Sequence, residues 1–136
     1  MAAAIRQLER FLGFAETAVG GGDALAEDVA RAAAIQAFEY TYELAVRLMR
    51  RYLIASEPGA AAPKAMSFNN LIRLAYERAL IAEDLRGWLR FRDMRNETSR
   101  AYDQAIAENV YRDVPRFLSE ARHLLTELND RIRDLT

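Results

Sequence analysis

Residues 23–54 read D-A-L-A-E-D-V-A-R-A-A-A-I-Q-A-F-E-Y-T-Y-E-L-A-V-R-L-M-R-R-Y-L-I. Asp23 has the short acceptor side chain that favours a helix N-cap, and acidic residues follow in the first turn, where the helix dipole favours them. Apolar residues then recur at helical spacing, at Ile35, Phe38, Tyr42, Ala45, Met49 and either Tyr52 or Leu53. This pattern predicts a helix over about 24–54, roughly 45 Å long at about 1.5 Å per residue. A helix of that length in a chain of 136 residues predicts a bundle whose other helices pack along it.

An amphipathic segment precedes the long helix. Residues 3–19 place apolar side chains on one face, at Ile5, Leu8, Leu12, Ala15 and Val19. The glycine triplet at residues 20–22 ends this helix, and we interpret it as a flexible turn, because the flanking sequence lacks the strand and the Gly-Lys-Ser/Thr of a phosphate-binding loop. After the long helix, residues 55–66 contain two prolines and a glycine, which predicts a mobile connector.

Three helical segments are predicted after this connector. Ser67 can cap a short helix with an apolar face at Phe68, Leu71, Ala75 and Ala79. The next helix spans about Asp84 to Asn96. Asp103 can cap a last helical region with a kink or restart near Pro115. Its apolar residues are Ile106, Val110, Phe117, Ala121, Leu124 or Leu125, Leu128, Ile132 and Leu135. Since no strand pattern is visible, we predict an all-α fold: an antiparallel four- to five-helix bundle forming a single domain over residues 1–136.

Composition excludes several classes of function. The formal net charge is −1, so no overall field attracts the chain to nucleic acid or to a membrane. The chain has no cysteine and one histidine, which excludes disulfides, thiolate metal sites and a histidine-based metal cluster. His123 falls off the apolar stripe and is interpreted as a surface residue. No signal peptide or membrane-spanning run is visible. We therefore predict a cytoplasmic protein with no membrane association, no metal and no cofactor of its own.

A second informative stretch is W-L-R-F-R-D-M-R-N-E-T-S-R-A-Y, residues 88–102. It begins as an apolar-faced helix, with Leu85, Trp88, Leu89 and Phe91 near helical spacing. Its end is rich in residues that bond their own backbone outside helices, such as Asn96 and Thr98, so the helix is predicted to end or bend there. The bend would display four polar residues together around one anion-binding cleft. These predicted ligand-binding residues are Arg95, Asn96, Arg100 and Tyr102.

The segment R-N-E-T-S-R-A-Y, residues 95–102, resembles the signature of the HEPN superfamily. That signature has an arginine, a polar residue that is often asparagine, a histidine a few residues later and often a tyrosine beyond it. The branch that the chain resembles is the nucleotidyltransferase substrate-binding proteins, small helical partners of minimal nucleotidyltransferases. A-I-Q-A-F-E-Y-T-Y-E-L, residues 34–44, is similar to the Ile-Gln-x-Phe-Glu-x-x-x-Glu-Leu segment of that family. Arg95, Asn96 and Tyr102 match the signature, whereas Arg100 stands where the family has histidine.

The resemblance implies an HEPN-like bundle that acts as a non-catalytic subunit, binding the nucleotide or acceptor substrate of a separate minimal nucleotidyltransferase. Arg95 would contact a phosphate, for instance of ATP, and Asn96 would orient the ligand. Without a ligand, Arg95 would instead pair with Asp93, Glu97 or a glutamate of the bundle. Five residues of the long helix either line the cleft or form a solvated or hydrogen-bonded face of the bundle: Gln36, Glu39, Tyr40, Glu43 and Arg47.

Two alternatives remain open at this point. One is an HEPN-type ribonuclease toxin that a partner nucleotidyltransferase neutralises, or modifies with AMP at Tyr102 as in toxin–antitoxin relatives. Arg100 does not deprotonate and cannot be the general base, so we expect no ribonuclease activity, although RNA phosphate can still be bound. The other is a helical dimeric interaction module without a ligand. We also expect a homodimer, formed through one of the aromatic-rich faces of the second and fourth helices, which carry Tyr42 and Trp88.

Overall fold

The computed structural model describes residues 1–57 and 66–134, with residue 134 described by its backbone only. In chain order the helices are α1 (Ala2–Val19), α2 (Ala24–Ser56), α3 (Phe68–Glu77), α4 (Leu85–Glu97) and α5 (Gln104–Asp134), with a 3-10 turn over Thr98–Arg100 before α5. Within the described residues no strand occurs, and the predicted all-α bundle is confirmed. Most of the predicted connector, residues 58–65, lies outside the described residues. Among the helices described, none is long and apolar enough to cross a membrane.

The long helix α2 is the element against which the others pack. The carboxylate of Asp23 accepts hydrogen bonds from the amides of Leu25 and Ala26, at 3.0 and 3.2 Å, so the predicted N-cap is present. The predicted apolar face is buried, with Leu53 rather than Tyr52 at its end. Helices α1 and α5 both run against α2. The apolar spacing of one helix therefore locates the centre of the bundle.

Aromatic rings from α2, α4 and α5 fill this centre. The ring of Phe117 meets those of Phe38 and Phe91 edge to face, at centroid distances of 5.0 and 5.3 Å. Trp88 is 0% exposed and Tyr42 is 7% exposed, because both rings pack against Phe117 from neighbouring helices. The prediction that a homodimer forms through the faces carrying Trp88 and Tyr42 is therefore wrong, since these rings cover one another within one chain. The expectation of a homodimer then rests on the family resemblance alone.

Helix α3 ends earlier than its apolar spacing predicts. The predicted stripe includes Ala79, but the helix ends at Glu77 and Ala79 adopts a left-handed conformation with φ 58°. The amide of Leu80 donates to the carbonyl of Ala75 at 2.9 Å, and the amide of Ala79 donates to that of Tyr76 at 3.0 Å. This pair of bonds is typical of a helix closed by a left-handed residue. It turns Leu80 into the core, where its exposure is 0%.

Helix α5 is continuous through Pro115, so the predicted restart is not observed. Proline removes one backbone hydrogen bond from the helix. Pro115 is exposed, whereas Val114 and Phe117 on either side of it are fully buried. Burial of these apolar side chains holds both halves of α5 on the core. Near the helix ends, Val19 and Ile132 are 54% and 53% exposed, so these two predicted core residues lie on the surface, and Leu135 lies outside the described residues.

Candidate functional site

The residues predicted to bind a ligand lie in the last turn of α4 and in the connection from α4 to α5, over residues 95–103, which we call the motif turn. Helix α4 extends to Glu97, and the hydroxyl of Thr98 then donates to the carbonyl of Arg95 at 2.7 Å. The carboxylate of Asp103 accepts from the amide of Ala105 at 2.9 Å and caps α5. The predicted bend and the predicted cap are both confirmed. Side-chain bonds of Thr98 and Asp103 to the backbone therefore fix the path of the turn.

Arg95 is held by two glutamates of α2. Its Nε and Nη2 lie 2.9 and 2.5 Å from Oε1 of Glu43, and Nη2 lies 3.4 Å from Oε1 of Glu39. The hydrogen bond with Glu43 is the main cause that raises the pKa of Arg95. Two carboxylates around one guanidinium leave a local excess of negative charge. A phosphate must therefore displace Glu43 before it gains a full ion pair with Arg95.

The other predicted ligand-binding residues face solvent. Asn96 and Arg100 are exposed, and Tyr102 is 89% exposed. In the described part of the chain, the side chain of Arg100 forms no ion pair. The neighbouring Glu97 has one carboxylate oxygen, Oε2, that is buried and accepts no hydrogen bond from the residues described. Among the described residues, the motif turn therefore exposes the unpaired guanidinium of Arg100 and the phenol of Tyr102, and it buries one unbonded oxygen of Glu97.

Tyr102 borders a groove of about 340 Å³ between α2 and the start of α5. Ile35 and Ala107 are buried at the floor of this groove. Arg31 also borders it, but Nη2 of Arg31 lies 2.9 Å from Oε1 of Glu27, and two more carboxylates lie within 4.0 Å of the guanidinium. These acids neutralise Arg31. The groove beside Tyr102 is therefore better suited to an uncharged group than to a phosphate.

The five residues of α2 predicted to line a cleft divide between two sides of the helix. Glu39 and Glu43 face Arg95, which matches the alternative that Arg95 pairs with bundle glutamates. Gln36 and Tyr40 border a shallow groove of about 310 Å³ against α1. Arg47 is exposed. The structure therefore places two of the five beside the motif turn and two beside α1.

The single histidine lies at the other end of α4 from the motif turn. His123 is partly exposed and borders a groove with Glu83, which precedes α4, and with Ser119 of α5. Helix α4 has 13 residues, which separates its two ends by roughly 18–20 Å. Proton transfer needs contact at about 2.6–3.2 Å. His123 therefore does not replace the histidine that the motif turn lacks.

Glu120 is a buried carboxylate that the sequence patterns did not single out. It is 3% exposed and accepts hydrogen bonds from the amides of Ala82 and Glu83, at 2.8 and 2.6 Å, and from Nε1 of Trp88, at 3.1 Å. The sequence does hold one signal for this buried acid: Glu120 follows Phe117 by three residues and so lies on the apolar side of α5. With three donors satisfied, Glu120 positions the start of α4. No group of three or more histidine, aspartate or glutamate side chains among the described residues is arranged to hold a metal ion.

Comparison with known proteins identifies a matching family, a related protein and two similar structures. The family model described as nucleotidyltransferase substrate binding protein like matches residues 1–130. A Haemophilus influenzae protein named probable ribonuclease HepT is 38% identical over 107 residues, which cover 79% of this chain and 73% of that protein. A Haemophilus influenzae structure, described as the fold of a substrate binding domain of a nucleotidyltransferase, is similar with a TM-score of 0.87 at 34% identity, covering 94% of this chain and 96% of that one. A crystal structure from Thermus thermophilus is similar with a TM-score of 0.64 at 29% identity, covering 89% and 98%.

Proposed function

The chain belongs to the nucleotidyltransferase substrate binding protein-like family, and from this premise we propose that it is the non-catalytic, substrate-binding subunit of a two-component nucleotidyltransferase. The catalytic subunit is a separate minimal nucleotidyltransferase. The observation that carries this proposal is the family match over residues 1–130, which includes the whole motif turn. The similar Haemophilus influenzae structure, described as a substrate binding domain, supports the same assignment.

We assign the phosphate of the ligand to Arg100. This side chain is exposed on the motif turn, and a guanidinium binds phosphate through two parallel hydrogen bonds. Arg95 joins it only when phosphate displaces Glu43. Asn96 is exposed in the same turn and would bond the polar groups of a nucleotide such as ATP.

The subunit is proposed to be non-catalytic because the motif turn lacks a general base of the kind that its family signature uses. Arg100 occupies the histidine position and does not release its proton near neutral pH. His123 lies at the opposite end of α4. Ribonuclease chemistry, which the name of the related HepT protein indicates for that protein, therefore has no histidine to perform it here.

Two measurements test this proposal. Co-expression with a minimal nucleotidyltransferase from the same organism should give a complex that survives affinity purification and gel filtration. Calorimetric titration of that complex with ATP should show affinity about ten- to a hundredfold weaker for Arg100→Ala, since a hydrogen bond from a charged group is worth about 1.5–3 kcal/mol. Arg86→Ala, which removes an exposed arginine at the start of α4, is the control and should leave affinity unchanged. Failure to form a complex contradicts the two-component assignment, and equal affinities contradict the role of Arg100.

A second candidate function is favoured by the exposure of Tyr102, which is 89%. In this alternative the partner nucleotidyltransferase modifies the chain itself. Oη of Tyr102 attacks the α-phosphorus of ATP, the bond to pyrophosphate breaks, and the phenolic proton passes to a base of the partner. Intact-mass spectrometry after incubation with the partner and ATP should then show one added AMP, absent in Tyr102→Phe and retained in Tyr76→Phe, another exposed tyrosine. An unmodified wild-type chain contradicts this alternative.

A further inference from the structure

The exposed side of the junction between α1 and α2 carries three adjoining shallow grooves, which we call the α1–α2 seam. One groove of about 560 Å³ is bordered by Arg6, Gln7, Arg10 and Tyr40. The second, of about 310 Å³, shares Gln7 and Tyr40 with the first and adds Phe11. The third, of about 470 Å³, shares Phe11 with the second and adds Phe14 and Val29. Because neighbouring grooves share residues, they form one continuous surface.

One end of the α1–α2 seam is cationic. Arg6 and Arg10 are exposed and lie one helical turn apart on α1. Glu9, the acid between them, is turned away and pairs with Arg122 of α5 at 3.0 Å. Among the described residues that border the three grooves, two are arginines and none is an aspartate or glutamate. In a chain with a net charge of −1, this end of the seam is therefore a local positive surface.

The other end of the α1–α2 seam is apolar. Phe14 is 61% exposed and Val29 is 59% exposed. Phe11 is packed partly against the core and continues the apolar surface between them and Tyr40. From residue 3 to residue 14 the seam is roughly 17 Å long, or about three turns of helix. Large apolar side chains grouped on a surface and rimmed by polar residues mark sites of protein interaction.

We propose that the α1–α2 seam is a docking site for an acidic amphipathic helix, about three turns long, of a protein partner. The apolar side chains of that helix, spaced at three and four residues, would lie on Phe11, Phe14 and Val29. Its glutamates or aspartates would pair with Arg6 and Arg10. The seam contains no residue of the motif turn, so this inference goes beyond the proposed function.

The charges of the seam favour an acidic helix over a second copy of the chain and over a nucleic acid. A second copy of the chain in a two-fold contact would bring the same seam, with its arginines and no carboxylate, against itself. A nucleic acid would find phosphate ligands at Arg6 and Arg10 only, because no other charged side chain among the described residues borders the three grooves to meet its remaining phosphates. An acidic helix with an apolar face complements both ends at once.

The test uses the full chain and a fluorescein-labelled, helix-stapled peptide of about 14 residues with leucines on one face and glutamates on its flanks. Fluorescence anisotropy should show binding that weakens as salt rises. Arg6→Glu with Arg10→Glu should weaken binding at least tenfold, and so should Phe14→Ser with Val29→Ser. The matched control, Arg73→Glu with Arg86→Glu, reverses two exposed arginines on α3 and α4 and should leave binding unchanged. Circular dichroism verifies that each variant is folded.

Several outcomes overturn the inference. They are no binding by the wild-type chain, equal binding by the Arg6→Glu/Arg10→Glu variant, or equal binding of a peptide with lysine in place of glutamate. A dimeric mass by light scattering that Phe14→Ser/Val29→Ser reduces to a monomer would assign the seam to a second copy. Displacement of the peptide by a single-stranded oligouridine would assign it to nucleic acid. Complex formation with the nucleotidyltransferase is measured separately, so failure of this inference is distinguishable from failure of the proposed function.

Discussion

Replacement of Glu120 by alanine should lower the free energy of unfolding by roughly 2–6 kcal/mol. Glu120 is 3% exposed, and its carboxylate accepts hydrogen bonds from three donors. Trp88 is 0% exposed, so after the substitution no water reaches its Nε1. A buried donor without an acceptor costs about 1–3 kcal/mol. The amides of Ala82 and Glu83 lie nearer the surface and can bond water, so each contributes about 0.5–1.5 kcal/mol. The sum is a large fraction of the roughly 5–15 kcal/mol that stabilises a typical domain.

Urea unfolding, followed by circular dichroism and by the fluorescence of the single tryptophan, measures this effect. Glu120→Gln keeps one acceptor oxygen and should lose about half as much stability. A double-mutant cycle with Trp88→Phe should give a coupling energy above about 1 kcal/mol, because the two side chains share a buried hydrogen bond. Glu77→Ala removes an exposed carboxylate and should change stability by no more than about 0.5 kcal/mol. A loss below about 1 kcal/mol for Glu120→Ala would refute the reasoning, because it would mean that water satisfies the three donors.

Three further changes have defined outcomes. Ala79→Gly should stabilise the chain by about 1 kcal/mol, because glycine adopts a φ of 58° without the steric cost that alanine bears, and a higher urea midpoint checks this. Burial raises the pKa of Tyr42 to about 12, above the value of about 10 for a tyrosine in the unfolded chain. The stability that the neutral phenol contributes is therefore fully present below pH ~10 and is lost as the pH rises through 12. Tyr42→Phe should therefore lose less stability between pH ~8 and 12 than the wild type, and equal losses would argue against this assignment. The purified wild-type chain should not cleave single-stranded RNA, and Arg100→His is the variant in which cleavage is to be sought; Arg95-dependent cleavage by the wild type would contradict the expectation.

Periodicity and capping residues were sufficient to predict where the helices lie. The stripe of α2 and the acceptor side chains of Asp23, Ser67 and Asp103 correspond to buried residues and observed caps. These features are local, since each depends on residues within a few positions of one another. The end of α3 was not predictable in the same way. The left-handed Ala79 is maintained by the burial of Leu80, which depends on helices distant in sequence.

The features of the candidate site that could not be predicted from the sequence are those that depend on contacts between helices. The sequence indicates that Arg95 needs an anionic partner, but the choice of Glu39 and Glu43 follows from how α4 crosses α2. The aromatic surfaces of Trp88 and Tyr42 were assigned to a dimer because spacing identifies an apolar face without identifying what covers it. Glu120 was missed because its three donors are 32 to 38 residues away along the chain.

Arginine at position 100 also determines how the motif turn responds to acidity. A histidine at that position would gain and lose its proton around pH 6.5, so the attraction of the turn for an anion would vary within the physiological range. A guanidinium stays protonated throughout that range. The exposed positive charge of the turn is therefore constant in acidic and neutral surroundings alike. If the turn binds an anion as proposed, a modest change in pH would leave this positive charge in place, and the concentrations of ligand and partner would set the occupancy of the site.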